Sequence, residues 1–164
     1  MDAYENAAKH LLELPEGDAP LIAFVGPSCR TWYVDLNRLR ALIGDLHCLR
    51  PFEVVHGGKF PFDMYVEQFC EEMGIAWYLN GPADRKVRLT KDYSRDPDLA
   101  AGLSLLVAFP WEDGAKEGKP KADGRHPPES ADLDVVRGAA VHGVPVLAVY
   151  RDGRAVWVEG GTST

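Results

Sequence analysis

The groups able to do chemistry in this sequence sit in short stretches between apolar runs. The segment GPSCRTWYVD at 26–35 offers Gly26, beside which backbone N–H groups can approach a phosphate, with the Ser28 hydroxyl as a donor and the Arg30 guanidinium as a bidentate fork. Its plainer reading is a Gly-Pro turn with a surface arginine and a packed Trp32. The segment HGGKFPFD at 56–63 sets His56 before Gly57 and Gly58, a pair that removes side chains where a ligand can approach the backbone. Asp63 then falls in the first turn of a helix, where its carboxylate suits either a ribose hydroxyl or the amides it would cap. Lys86, Arg88, Lys91 and Arg95 form a basic cluster, readable as a solvated face or as the source of an arginine that closes over an anion. Glu129, Asp132 and Asp134 stand at the start of the last helical segment, where acids favour the helix dipole and where one carboxylate could bind a sugar or act as a general base. The histidines show no metal spacing such as HExxH, and no Ser, His and Asp set is recognisable, so neither a metal centre nor a serine hydrolase is expected.

Regular elements must hold these stretches in place. LIAFV at 21–25 is a continuous apolar strand run, followed by a loop and a helix over about 34–46. The unit repeats with a strand at 52–55, a Gly and Pro loop at 56–63, a helix at 62–73 and a strand at 75–79. Residues 80–95 read as a polar surface loop, 96–102 as a short helix and 103–109 as a fourth strand. Beyond it, 111–130 is too polar and too rich in Pro and Gly to join a core and reads as a flexible loop. A helix at 131–142 with Gly143 as its C-cap leads to a fifth strand at 144–150. The Asp152-Gly153 turn signal before AVWV then predicts a hairpin return that adds an antiparallel edge strand. Ahead of all this, Ala7, Ala8, Leu11, Leu12 and Leu14 lie at helical spacing before Pro15 and Gly17, which makes residues 1–20 a helical appendage. The main domain is 21–158 and 159–164 is a tail.

Alternating apolar strands and amphipathic helices predict an open three-layer α/β fold, a Rossmann-like sandwich with a mostly parallel sheet of about five strands. In such folds ligands bind beyond the carboxyl ends of the strands, and each stretch named above falls at one of those ends.

Composition narrows the function classes. The chain has 164 residues, 46% hydrophobic and 26% charged, which fits one domain. Eighteen Lys and Arg against 25 Asp and Glu give a formal charge of -7, which ranks long nucleic acids and anionic lipid low as partners. No apolar run reaches the roughly 20 residues of a membrane helix. The acidic start, MDAYENAAKHLLELPEGDAP, lacks the basic and apolar regions of a secretory signal, so a cytoplasmic location is expected. Cys29, Cys48 and Cys70 are odd in number and widely spaced, which predicts reduced thiols rather than a disulfide framework or a zinc site.

Taken in order, the pieces resemble the SLOG superfamily, the Rossmann-like group that includes DprA/Smf and the LOG phosphoribohydrolases, and within it the small YspA/YpsA-like branch of bacterial and phage proteins. That branch reads roughly G-S-R-x-W-x-D after strand one, H-G-G-A-x-G-A-D after strand two, R-N before strand four, A-F-P at its end, and G-T-x-D before G-I-P-V. The matching residues are Gly26, Ser28, Arg30, Trp32 and Asp35; His56, Gly57, Gly58 and Asp63; Arg95 and Asp96; Ala108, Phe109 and Pro110; and Asp134, with Gly143, Val144, Pro145 and Val146 closing. The resemblance covers residues 21–150. Pro27 and Cys29 interrupt the first motif, Pro61 and Phe62 replace Gly and Ala in the second, and Ala131-Asp132 replaces Gly-Thr in the last. Val135 stands where the phosphoribohydrolases carry their catalytic Glu.

The resemblance implies a nucleotide or nucleotide-derived ligand, with Gly26, Ser28 and Arg30 on phosphate, His56, Gly57 and Gly58 at the backbone approach, Asp63 on ribose and Arg95 as clamp. It leaves two alternatives. One is a nucleoside monophosphate N-glycosidase, a hydrolase using Glu129, Asp132 or Asp134; the other is a DprA-like nucleic-acid-associated module. No cofactor is implied, and a homo-oligomer is expected by analogy.

Overall fold

The computed structural model describes residues 2–84, 102–110, 139 and 143–158. The expected helix at 131–142 apart from Ala139, the short helix at 96–102 apart from Gly102, and the loop at 111–130 lie outside the described residues. The architecture is α/β, built on a six-stranded mixed sheet in the order β3-β2-β1-β4-β5-β6. The strands are β1 (Leu21–Val25), β2 (Glu53–His56), β3 (Trp77–Leu79), β4 (Leu105–Ala108), β5 (Val146–Val149) and β6 (Ala155–Val158). All neighbours pair in parallel except β5 and β6, which are antiparallel. This is the Rossmann-like sheet expected, with the antiparallel edge strand in place.

The helices are α1 (Ala3–Glu13), α2 (Tyr33–Leu49) and α3 (Phe62–Met73). The α2 helix runs past the predicted end near residue 46 because nothing stops it before Pro51. The residue ahead of a proline is pushed out of the helical region, and Arg50 is extended at φ -150°, ψ 114°. The α3 helix has the predicted bounds, and Gly74 ends it in the left-handed region at φ 69°.

That cap also explains why β3 begins two residues later than the apolar run suggests. The Ile75 amide donates to the Cys70 carbonyl at 2.9 Å, so the start of IAWYL closes the helix rather than joining the sheet. The same device recurs ahead of β5: Gly143 has φ 78°, and the Val144 amide donates to the Ala139 carbonyl at 2.9 Å. The Val144 amide is thereby turned back to Ala139, and the strand begins only at Val146. At the hairpin, the Asp152 carboxylate accepts from the Arg154 amide at 2.9 Å and Gly153 takes φ 95°, which turns the chain back to form β6.

The core divides on the two faces of the sheet. On one, Ile22 and Phe24 of β1 pack with Leu39, Ile43 and Leu46 of α2, Val66 and Phe69 of α3, and Ala7 and Leu11 of α1. On the other, Ala23, Val25, Leu106 and Val146 pack with Ala139. The first helix is thus part of the main core, and truncating the fully buried Leu11 to alanine would cost about 2–5 kcal/mol. It is also tied by polar contacts: Arg50 donates to the carbonyls of Leu11, Leu14 and Pro15, and the Trp157 indole donates to Asn6 at 3.1 Å. No helix of the described residues is long and apolar enough to cross a membrane.

All three cysteines are thiols; Cys48 is exposed, while Cys29 and Cys70 are buried. Burial, reinforced by Glu71 and Glu67, pushes the Cys70 thiol up from 9.0 to about 12. Between those values the unfolded chain ionises where the folded one keeps its proton, so this group lowers stability progressively as the pH rises. At about pH 8 an aromatic disulfide reagent is expected to modify Cys48 quickly and Cys70 only on unfolding. Equal rates at the two in the native protein would contradict that packing.

Candidate functional site

The chain leaves β1 toward β2 and β3 on one side and reaches β4 and β5 on the other, so the strand order reverses between β1 and β4. A crevice outside the carboxyl ends of the strands at such a point is the expected ligand position in an open α/β sheet. The first loop there folds as a 3-10 turn over Ser28–Arg30, closed by the Arg30 amide on the Pro27 carbonyl at 3.0 Å. Ser28 is exposed and Arg30 is fully buried.

Arg30 reaches across the switch point. Its Nε donates to Asp35 Oδ1 at 2.9 Å, its Nη1 donates to the Pro110 carbonyl at 2.8 Å, and its guanidinium lies 5.1 Å from the Phe109 ring centroid. The end of β1 is thereby fastened to the end of β4. Asp35, at the start of α2, also accepts from Arg151, with Nη2 at 3.0 Å on Oδ2 and Nε at 3.4 Å on Oδ1, and from the Trp32 amide at 3.3 Å. One buried carboxylate therefore organises two guanidiniums and the helix start.

Arg151 follows β5, so the third strand end joins the same cluster. Its Nη2 donates to the Cys29 carbonyl at 2.6 Å, and its guanidinium stacks 4.8 Å from the Trp32 ring centroid. The indole is still 49% exposed, leaving much of its surface open to solvent at the carboxyl edge. Tyr33 and Phe60 are exposed beside the same strand ends.

The second loop is organised by side chains rather than held open for a ligand. His56 is the last residue of β2, not part of the loop, and it is fully buried. The Gly58 amide donates to its Nδ1 at 3.0 Å, so Nε2 carries the proton and donates to Glu67 Oε1 at 3.2 Å. The Trp77 ring lies 5.3 Å from the imidazole. Asp63 Oδ2 accepts from the Gly57 amide at 3.1 Å and the Lys59 amide at 2.9 Å. Of the two roles open to Asp63 in the sequence, the amide-holding one is what the geometry displays.

Gly26 is also used differently from its first reading. A Cβ placed there would come within 2.6–3.0 Å of three ring atoms of Phe62. Its missing side chain makes room for an aromatic ring.

The structure thus brings Gly26, Ser28 and Arg30 together at the end of β1, and His56, Gly57, Gly58 and Asp63 at the end of β2. Arg95, Glu129, Asp132 and Asp134 lie outside the described residues, as do Lys86, Arg88 and Lys91. Sequence reasoning passed over Arg151, which it treated only as part of a turn, although its position directly after β5 was the available signal. A cleft of about 280 Å³ lined by Asn6, Lys9, His10, Glu13, Pro145 and Trp157 opens elsewhere, against α1. Among the described residues no three His, Cys, Asp or Glu side chains gather as a metal site. The chain matches no protein-family model, no curated protein and no solved structure.

Asp35→Ala leaves the Arg30 guanidinium buried without its carboxylate, and the expected loss of stability is about 3–5 kcal/mol by urea denaturation. A loss below about 1 kcal/mol, the range of an exposed ion pair, would show that the cluster is not an organising element.

Proposed function

We propose that this protein binds a nucleotide or a nucleotide-derived small molecule at the carboxyl edge of its sheet, over the point where the strand order reverses between β1 and β4. The observation that carries this reading is the stack of Arg151 on the half-exposed Trp32, fixed from beneath by Asp35 at that edge. An aromatic face accepts a nucleobase of any identity, and a guanidinium beside it draws a phosphate. Ser28 adds an exposed hydroxyl on the same loop.

The other residues act from below. Arg30 is completely buried, so it contributes positive potential and holds the loop instead of forking a phosphate directly. Asp63 and His56 fix the amides of Gly57, Gly58 and Lys59, which makes the second loop a rigid wall of the site. The resemblance to the SLOG superfamily supports the same edge and the same ligand class. A net charge of -7 opposes a long polyanion more than a single nucleotide, because repulsion accumulates along a polymer.

Calorimetric titration with the four common nucleoside monophosphates tests the reading. At least one is expected to bind, and Trp32→Ala should weaken it roughly 5- to 150-fold, the range for loss of one base-stacking face. No binding by any of them, or binding that Trp32→Ala leaves unchanged, would overturn the assignment.

A further inference from the structure

An arginine side chain is long and rotamer-rich, so its guanidinium keeps one place over an aromatic ring only when both the head and the backbone that carries it are held. Arg151 opens the turn between β5 and β6. Within that turn the Gly153 amide donates to the Tyr150 carbonyl at 3.0 Å and the Tyr150 amide to the Arg154 carbonyl at 2.8 Å. Those bonds close the turn on itself. Its attachment to α2, whose start carries Trp32 and Asp35, comes from side chains.

Asp35 attaches the head of Arg151, accepting from its Nη2 at 3.0 Å. Arg38 attaches the backbone. Its Nη1 donates to the Arg151 carbonyl at 2.8 Å and to the Tyr150 carbonyl at 3.3 Å, and its Nη2 lies 3.5 Å from where a Cβ on Gly153 would stand. Asp35 and Arg38 are three residues apart on α2, so they share one helix face. The helix therefore grips the same arginine twice, a carboxylate on its guanidinium and a guanidinium on its carbonyl. Fixing both ends leaves the side chain little freedom to swing off Trp32, an ordering that is then complete before a ligand arrives.

We propose that Arg38 is a positioning residue of this site: it sets ligand affinity through Arg151, by holding the turn from which that guanidinium reaches Trp32. This inference rests on the nucleotide reading and adds the residue that orders its central stack. Arg50 provides a comparison, because it bonds the carbonyls of Leu11, Leu14 and Pro15 in the same manner but serves α1.

The test is a double-mutant cycle, with AMP, GMP, CMP and UMP titrated calorimetrically into the native chain, Arg38→Ala, Arg151→Ala and the variant carrying both changes. Arg38→Ala is expected to weaken the tightest of the four about tenfold, and the double variant to bind within about twofold of Arg151→Ala alone. Arg38→Lys, which keeps a charged donor for the Arg151 carbonyl, should recover part of the loss. Arg50→Ala should lower the melting temperature and leave the affinity unchanged. Where Arg38→Ala does not fold, Arg38→Gln carries the same cycle through a smaller loss. Affinity that the folded Arg38 variants leave unchanged, a loss that adds in full to that of Arg151→Ala, or an equal loss in Arg50→Ala overturns the role of Arg38 and leaves the nucleotide reading standing. No binding of any of the four by the native chain overturns both.

Discussion

A buried carboxylate shared by two guanidiniums is the constraint on which the rest of this edge depends. Asp35 accepts from Arg30 on one side and from Arg151 on the other, and neither Asp35 nor Arg30 is reached by solvent. Ions taken out of water are costly unless each finds a well-placed partner, so this arrangement holds only when β1, β4, β5 and α2 all present their ends together. Arg30 brings in the Pro110 carbonyl after β4, Arg151 brings in the Cys29 carbonyl after β1, and Asp35 anchors the first turn of α2. The cluster ties together segments more than 100 residues apart and leaves Trp32 fixed at the surface.

The second loop follows the same logic with weaker bonds. Three successive amides would otherwise face the crevice as an anion-binding concavity, but His56 and Asp63 take all of them. The loop becomes a rigid boundary, and the exposed Trp32 ring and the Arg151 guanidinium project from the β1 and β5 ends instead. Below it, the Phe62 ring packs into the space that the missing Cβ of Gly26 leaves.

Much of the fold was legible in the sequence because it is written in local terms. The wholly apolar LIAFV is a strand buried throughout, the apolar spacing over 62–73 is α3, and Asp152-Gly153 turns the chain into β6. The errors lie where a local signal serves a neighbour: Ile75 and Val144 read as strand, yet their amides turn back to the carbonyls of Cys70 and Ala139. For the candidate residues, placement at the strand ends was legible and their contacts were not. Placement after a strand identified Arg30 and Asp63, whereas their burial and their partners depend on contacts such as Arg30 to Pro110, 80 residues away, that no spacing encodes. Arg151 obeyed the same placement rule and was overlooked because it sits inside a turn motif. Gly26 had a correct type with a different reason, since the ring that needs its missing Cβ comes from α3.

The opposite sheet edge supplies an internal control. Trp157 lies near α1, bonded to Asn6 and close to His10, while Trp32 sits at the carboxyl edge on Arg151. The indole N–H signals of the two, followed by nitrogen-edited NMR as the tightest-binding nucleoside monophosphate is added, report directly on which edge takes the ligand. The Trp32 signal should move and saturate while the Trp157 signal stays in place; movement of Trp157 with Trp32 unchanged would contradict a site built on the Arg30, Asp35 and Arg151 cluster.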